Sequence, residues 1–391
     1  MTKIIRINNI VHNNLSVVVN MNIDGNVEQL RINVNTNSLP FLTIDRVDFI
    51  VVGLLYFAMK NDYDIESKLP MTQDLWYNIV YHFIPQLALG NPHLHKTNIK
   101  CPFVGKIDPS TKMYNATGIS CGVDSLYTVA TNTSKEIPVE NRLNALCFFN
   151  VGAAMKGKEE LRTPLVAGRL KIAENFANEY HFPFFFIESN IHILINKYSN
   201  YSHIEMHTYM GMFCVLLIQK GIKQYHYSSG YTLLDFSITN KDNLIFDCAY
   251  YEFLIFSTLS AIGISAFSEG ADVDRKNKIA KLVKWSPSYN YLNVCVDKVD
   301  NCGLCFKCIR TLLEIDALGD IDNYRKVFDI DFYKIHRKKY LRRLYLDSLK
   351  SNDIFLKELI PYFKDELTII FKLKCLVSVI INRILRKNEI L

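Results

Sequence analysis

Two short stretches of this 391-residue chain carry residue types at spacings that do chemistry. The first is Gly118-Ile119-Ser120-Cys121-Gly122-Val123-Asp124-Ser125. It stands between Met113-Tyr114-Asn115-Ala116, which is strand-like, and Leu126-Tyr127-Thr128-Val129-Ala130, which reads as the first turns of a helix. A small-residue turn between a strand and a helix start aims backbone N–H groups and the positive end of the helix dipole at one point. That is an anion site, most often for phosphate. Ser120 and Ser125 add hydroxyl donors, and Asp124 can hold the cation that accompanies a polyphosphate. An ordinary strand–turn–helix joint is the competing reading of the same spacing. The second stretch is Asn301-Cys302-Gly303-Leu304-Cys305-Phe306-Lys307-Cys308-Ile309-Arg310, with Cys295 ahead of it on an expected strand, a C-x6-C-x2-C-x2-C pattern. Cys-x-x-Cys knuckles chelate in pairs, and four thiolates with no water position make a closed, structural zinc site. Lys307 and Arg310 would offset its negative charge. An iron–sulfur cluster also takes four cysteines, and a redox Cys-x-x-Cys is the third reading.

Ser-Cys-Gly-Val-Asp-Ser at 120–125 resembles the Ser-Gly-Gly-x-Asp-Ser pyrophosphate loop of the PP-loop (N-type) ATP pyrophosphatases, with Cys121 in place of the first glycine. Cysteine suits the turn if that residue keeps φ below zero, so Cys121 is read first as a small turn residue and second as a sulfur carrier. The cysteine element narrows the resemblance to the 7-cyano-7-deazaguanine synthase-like proteins. Phe246-Asp247-Cys248-Ala249-Tyr250-Tyr251-Glu252-Phe253 is similar to that family's Tyr-Pro-Asp-Cys-Arg-Pro-Glu-Phe segment, with the arginine replaced by Ala249 and both prolines lost. Gly168-Arg169, ahead of Glu174 and Ala177, is similar to the family's helix after the second strand. The resemblance covers 113–318, and the extra segments on either side look like those of longer synthase-like proteins in bacterial defence and accessory gene clusters.

The resemblance implies an α/β fold with a doubly wound, mostly parallel sheet of the adenine nucleotide α-hydrolase type. It implies ATP, Mg²⁺ and Zn²⁺ as cofactors, and a carboxylate-bearing substrate that is a small molecule or a protein terminus. The carboxylate attacks the α-phosphorus of ATP, pyrophosphate leaves into the 120–125 cradle, and ammonia or an amine displaces AMP to give an amide, which a second activation converts to a nitrile. Ser120, Cys121, Gly122, Val123, Asp124 and Ser125 would hold the pyrophosphate; Asn150 would line an adenine pocket, and Ser228 and Ser229 would face the substrate. Asp124 is expected at the magnesium–pyrophosphate region; Asp247 and Glu252 are expected to orient the nucleophile or accept its proton. Asp247 can equally be a helix N-cap. Lys276, Lys278 and Lys281 fit a solvated helix face better than a phosphate contact. Two other functions stay open: sulfur transfer to tRNA, and a catalytically inactive nucleotide-binding partner subunit.

The elements that must position these residues are legible in outline. Alternating β-type runs at Ile4–Ile7, Leu15–Val19 and Leu30–Val34, a hairpin signal at Asp24-Gly25, a buried helix opening at Ile44, and a helix over Asp74–Leu89 interrupted by Pro85 predict a small α+β domain over 1–110. From 111 to 320, strands expected at Leu143–Asn150, Phe184–Glu188, Lys223–Ser228, Gly263–Phe267 and Tyr291–Val296 alternate with helices expected at Leu161–Tyr180, Ile204–Lys220, Tyr250–Ile262 and Arg275–Trp285. That alternation argues for a parallel sheet covered on both faces. Residues 321–391 are expected to form a helical segment whose last 61 residues carry +7 of the chain's net +6. No RNA-binding module is recognisable, so contact with nucleic acid is unsupported. The Met1-Thr2-Lys3-Ile4 start lacks a signal-peptide core and the apolar run Phe253–Ser268 is broken by serines and a glycine, so a cytoplasmic protein without a membrane span is expected. A homodimer or a complex with pathway proteins remains open.

Overall fold

Strict alternation of apolar and polar residues builds three long antiparallel strands, β1 (Lys3–Asn13), β2 (Ser16–Ile23) and β3 (Asn26–Val34). Along β2 every second side chain is buried, the period of a half-covered sheet. Asp24 (φ 50°) and Gly25 (φ 86°) close the β2–β3 hairpin with two successive left-handed residues, as a tight hairpin turn demands. The structure is a computed structural model that describes residues 3–153, 163–242, 245–350 and 354–388.

Nine more strands follow among these residues: β4 (Tyr63–Ser67), β5 (Met71–Thr72), β6 (Ile99–Lys100), β7 (Phe103–Val104), β8 (Tyr114–Gly118), β9 (Ala145–Asn150), β10 (Phe184–Ser189), β11 (Ile222–Ser228) and β12 (Ser265–Glu269). Ten of the twelve form one sheet in the order β12-β11-β8-β9-β10-β3-β2-β1-β4-β6, and β5 pairs with β7. The sheet is mostly parallel; only the β1–β2, β2–β3 and β3–β10 pairs run antiparallel. The protein is therefore α/β, and residues before 110 add β3, β2, β1, β4 and β6 to the sheet that carries β8–β12. One core runs through both parts, from Ile5 to Ile264.

The helices up to residue 274 are α1 (Asp48–Asn61), α2 (Gln73–Asn78), α3 (Ile84–Gly90), α4 (Val123–Asn132), α5 (Pro164–Glu179), α6 (Ile191–Tyr198), α7 (His203–Leu217) and α8 (Glu252–Leu259). A π turn at Ile79–Phe83 precedes Pro85 in the interrupted α2–α3 helix, consistent with a proline that cannot donate to the ladder. Thr163 caps α5 by accepting from Val166 N–H at 3.3 Å; residues 161 and 162 of the expected helix lie outside the described residues. The α1 and α7 helices are apolar almost all round and pack on each other. Phe49 meets Phe213 at 5.6 Å between ring centroids and Tyr56 meets Tyr209 at 5.6 Å. Glu205, buried in α7, accepts from Tyr56 Oη (2.8 Å) and Lys60 Nζ (2.6 Å) of α1. Later helices are α9 (Arg275–Leu282), α10 (Pro287–Tyr291), α11 (Phe306–Ala317), α12 (Ile330–Lys350), α13 (Ile354–Leu359) and α14 (Ile369–Asn388).

Two compact units partition the chain: Met1–Ser120 with Asp124–Asp274, and Cys121–Val123 with Arg275–Leu391. In the second unit the strand expected at Tyr291–Val296 is absent: α10 ends at Tyr291 and the following residues are irregular. The reason is local. Asn301 Oδ1 accepts from Val294 N–H (2.8 Å) and Cys295 N–H (3.2 Å), so a side chain takes the donors that a strand would give to a neighbour. Lys278 departs from the expected solvated face of α9, being only 2 % exposed. No helix among the described residues is long and apolar enough to cross a membrane.

Close approach of helices makes Gly53 of α1 a sensitive point. A Cβ there would lie 2.8 Å from Phe213 Cδ2 and 2.9 Å from Ile191 Cδ1. Gly53→Val is expected to destabilise the protein by about 1–3 kcal/mol through overpacking, whereas Gly105→Ala, which meets nothing within 4 Å, is expected to be near neutral. Urea unfolding of both variants checks this.

Candidate functional site

The order of the parallel strands decides where a ligand can sit. β8 lies between β9 and β11, and the chain proceeds from it to β9 and β10 on one side and to β11 and β12 on the other. The direction of winding therefore switches at β8 and β11, and in open α/β sheets the crevice beyond the carboxyl ends of such strands is where ligands bind. The Gly118–Ser125 segment leaves the carboxyl end of β8, and Ser228 ends β11.

The turn itself is tight. Ile119 N–H donates to Cys147 O (2.8 Å) at the end of the β8–β9 ladder. Ser125 Oγ accepts from Ser120 N–H (3.4 Å) and lies 3.2 Å from Ser120 Oγ, which folds the start of α4 back over the turn. Thr128 Oγ1 donates to Asp124 O (3.0 Å) one turn on. Cys121 corrects the expectation of a negative φ: it adopts φ 58°, the left-handed region that glycine enters freely. Its side chain is fully buried and its carbonyl accepts from Asn293 N–H at 2.8 Å, so surrounding structure holds the strained conformation. Burial pushes the Cys121 thiol up to about 12, which leaves little thiolate at neutral pH.

The other expected residues at carboxyl strand ends have definite partners. Ser228 Oγ donates to Thr128 Oγ1 of α4 at 2.8 Å. Ser229 is buried and its Oγ donates to Tyr231 O at 3.0 Å. Asn150 Nδ2, at the end of β9, faces Glu188 Oε2 at 3.4 Å.

Asp247 is joined to residues that sequence reasoning did not select. Asp247 is an N-cap, accepting from Ala249 N–H at 3.0 Å, and also accepts from His207 Nε2 at 2.9 Å. The other ring nitrogen, His207 Nδ1, lies 2.6 Å from Tyr227 Oη. Tyr227 is also within the electrostatic reach of Glu252, whose Oε1 is bonded by Ser268 Oγ. Cys248, fully buried, accepts from Thr208 N–H (3.4 Å) and bonds Thr208 Oγ1 (3.3 Å). Burial alone would raise the Asp247 carboxyl, but His207, the Ala249 N–H and Tyr231 overcome it and hold it below its ordinary value. Burial likewise opposes a charge on His207, yet Cys248, Tyr227 and Asp247 raise it well above the usual histidine range. His203 is pushed the other way, to about 3, by burial and by His207. The signals that could have found the pair are a second histidine on the largely apolar α7 and a tyrosine directly before the Ser228-Ser229 turn.

The four cysteines converge as their spacing predicts, although Cys295 stands on an irregular segment. All four Sγ atoms lie within 4.8 Å of one another, with Cys302–Cys308 and Cys295–Cys305 both at 4.0 Å. A tetrahedral ion with metal–sulfur bonds of about 2.3 Å needs sulfurs about 3.8 Å apart, so the set can hold a metal ion. Gly303 (φ 69°) makes the knuckle turn, and N–H groups of Leu304 (3.4 Å) and Cys305 (3.2 Å) point at Cys302 Sγ. Lys298 N–H points at Cys295 Sγ at 3.3 Å. Burial would raise the Cys295 thiol, but N–H donation from Cys302, Asp297 and Lys298 lowers it to about 7. Burial instead raises the Cys302 and Cys308 thiols, so the convergence of the four sulfurs is what favours ligation.

Two outcomes follow from these environments. Cys121→Gly is expected to change stability by less than about 1 kcal/mol, because relief of the left-handed backbone offsets lost burial. Cys121→Val is expected to cost about 2–3 kcal/mol, because a β-branched side chain is strained at this φ; thermal unfolding compares them. His192, at the start of α6, is 3 % exposed, and burial lowers its imidazole from 6.5 to about 4. The unfolded chain therefore takes up this proton first. The contribution of neutral His192 is complete above about pH 6.5 and is lost as pH falls toward 4, at up to about 1.4 kcal/mol per pH unit. Urea midpoints between pH 7.5 and 4.5 are expected to fall less steeply in His192→Leu than in the parent. Set against known proteins, the chain matches no family model, no curated protein and no solved structure.

Proposed function

We propose that this protein is an ATP-dependent ligase or synthase of the PP-loop type, forming AMP and pyrophosphate while it couples a carboxylate to ammonia or an amine. The observation that carries the reading is the position of the Ser120–Ser125 turn: it follows the strand at which the winding of the parallel sheet reverses, and opens helix α4. A polyphosphate at such a turn meets backbone N–H groups and the helix dipole together. Ser120 and Ser125 supply hydroxyls beside it, and Asp124 stands in the first turn of α4 as the carboxylate of the turn that would face a magnesium ion. Magnesium bound there would draw charge from the leaving pyrophosphate.

Asp247, with His207 and Tyr227 in series behind it, supports a role in orienting the nitrogen nucleophile. Glu252 supports the same region from the first turn of α8. Zinc is the ion we assign to Cys295, Cys302, Cys305 and Cys308, as a closed four-thiolate site that stiffens the start of α11. Sulfur transfer through Cys121 gains no support, since that thiol is buried and protonated.

The test is pyrophosphate release from ATP in the presence of a panel of carboxylates and ammonium. The wild-type protein is expected to release pyrophosphate and Asp124→Ala to lose about 10²–10³-fold in rate. Equal rates for the two proteins would sink the enzymatic reading.

A further inference from the structure

His207, Asp247 and Cys248 supply one nitrogen, one carboxylate oxygen and one sulfur, all within 4.8 Å of one another. We propose that these three side chains form a second metal site, taking a single divalent ion of the zinc class. The site lies wholly within the first unit and its argument is independent of the ATP reading.

Three features beyond proximity point to a ligand set. The donors are buried or half-buried, with His207 and Asp247 side chains 24 % and 20 % exposed and Cys248 fully buried. Each is also held by a group that does not compete for the ion. Tyr227 Oη engages His207 Nδ1 (2.6 Å), which fixes the ring and leaves Nε2 directed at Asp247. Ala249 N–H orients the Asp247 carboxylate (3.0 Å), and Thr208 N–H points at Cys248 Sγ (3.4 Å). Outer contacts of this kind orient metal ligands and raise their basicity. The donor set is itself informative. A mixed nitrogen, oxygen and sulfur environment suits a borderline ion such as zinc and disfavours magnesium or calcium. Three protein ligands leave a fourth position open, the arrangement of zinc sites that bind a substrate or water, in contrast to the closed four-thiolate set. Elements, too, are rigid here: His207 sits on the buried helix α7, and Asp247 and Cys248 open the 3-10 turn Cys248–Tyr251.

The alternative occupant of the space between His207 and Asp247 is a proton, which would make them an ordinary ion pair. Zinc counting on the purified full-length chain separates the two. After loading with zinc alone and removal of excess by gel filtration, the wild type is expected to retain two ions per chain. His207→Gln and Asp247→Asn are each expected to retain one. Asparagine keeps the N-cap, so Asp247→Asn decides the matter if His207→Gln fails to fold. Tyr227→Phe is expected to keep the second ion but to release it to a chromophoric chelator with about 10–100-fold weaker affinity. A zinc count that is the same in the wild type and in both ligand variants would overturn the site.

Discussion

Everything of functional interest hangs on the parallel hydrogen bonding of β8 between β9 and β11. Asn115, Ala116 and Thr117 register with Gln224, Tyr225 and His226 on one side, and Ala116, Thr117 and Gly118 register with Ala145, Leu146 and Cys147 on the other. Because parallel strands all end on the same side, this pairing delivers the turn after Gly118, the serines after Tyr227 and Asn150 to one edge of the sheet. Thr117 Oγ1 reinforces the join by donating to His226 O. A one-residue slip of β8 would turn the faces of the strand over and carry the turn away from the end of β11.

A small strained segment sits directly on that constraint. Cys121 occupies a backbone conformation that glycine would enter without penalty, so the local sequence and the local geometry disagree by roughly 1–2 kcal/mol. The disagreement is sustained by burial of the thiol and by the hydrogen bond from Asn293. Strain of this kind is stored where the surrounding structure over-determines the chain. Burial also keeps the Cys121 thiol protonated at neutral pH, which suits a packing group.

The His207 network shows the opposite balance. Histidine, aspartate and tyrosine beside an apolar helix would be expensive if unpaired, and each is paired: His207 to Asp247 and Tyr227, Asp247 to Ala249 N–H, Cys248 to Thr208. Burial lowers the imidazole of His192, burial and the nearby His207 lower that of His203, and Cys248, Tyr227 and Asp247 raise that of His207 against its burial. Three histidines within a short stretch of chain thus differ in charge because of what faces them.

Much of this molecule is legible one element at a time. The alternation in β1–β3, the Asp24-Gly25 turn, the apolar strands β9–β11 and the Cys-x2-Cys-x2-Cys knuckles are local patterns, and local sterics or chelation by near neighbours is enough to specify them. Three things were decided by contacts that no periodicity or turn signal specifies. Cys295 lacks its expected strand because Asn301 claims the backbone donors there. The left-handed Cys121 depends on burial and on Asn293, and neither is visible in the Ser-Cys-Gly-Val-Asp-Ser string. Segments 1–110 and 111–274 share one sheet because β3 pairs with β10, a register between edges that no local pattern encodes. The spacing of Cys302, Cys305 and Cys308 already marks a set that can hold a metal, because near neighbours chelate together; that His207 and Tyr227 stand with Asp247 follows only from the tertiary structure, because long-range packing of α7, β11 and the 247–251 turn brings them within hydrogen-bonding distance.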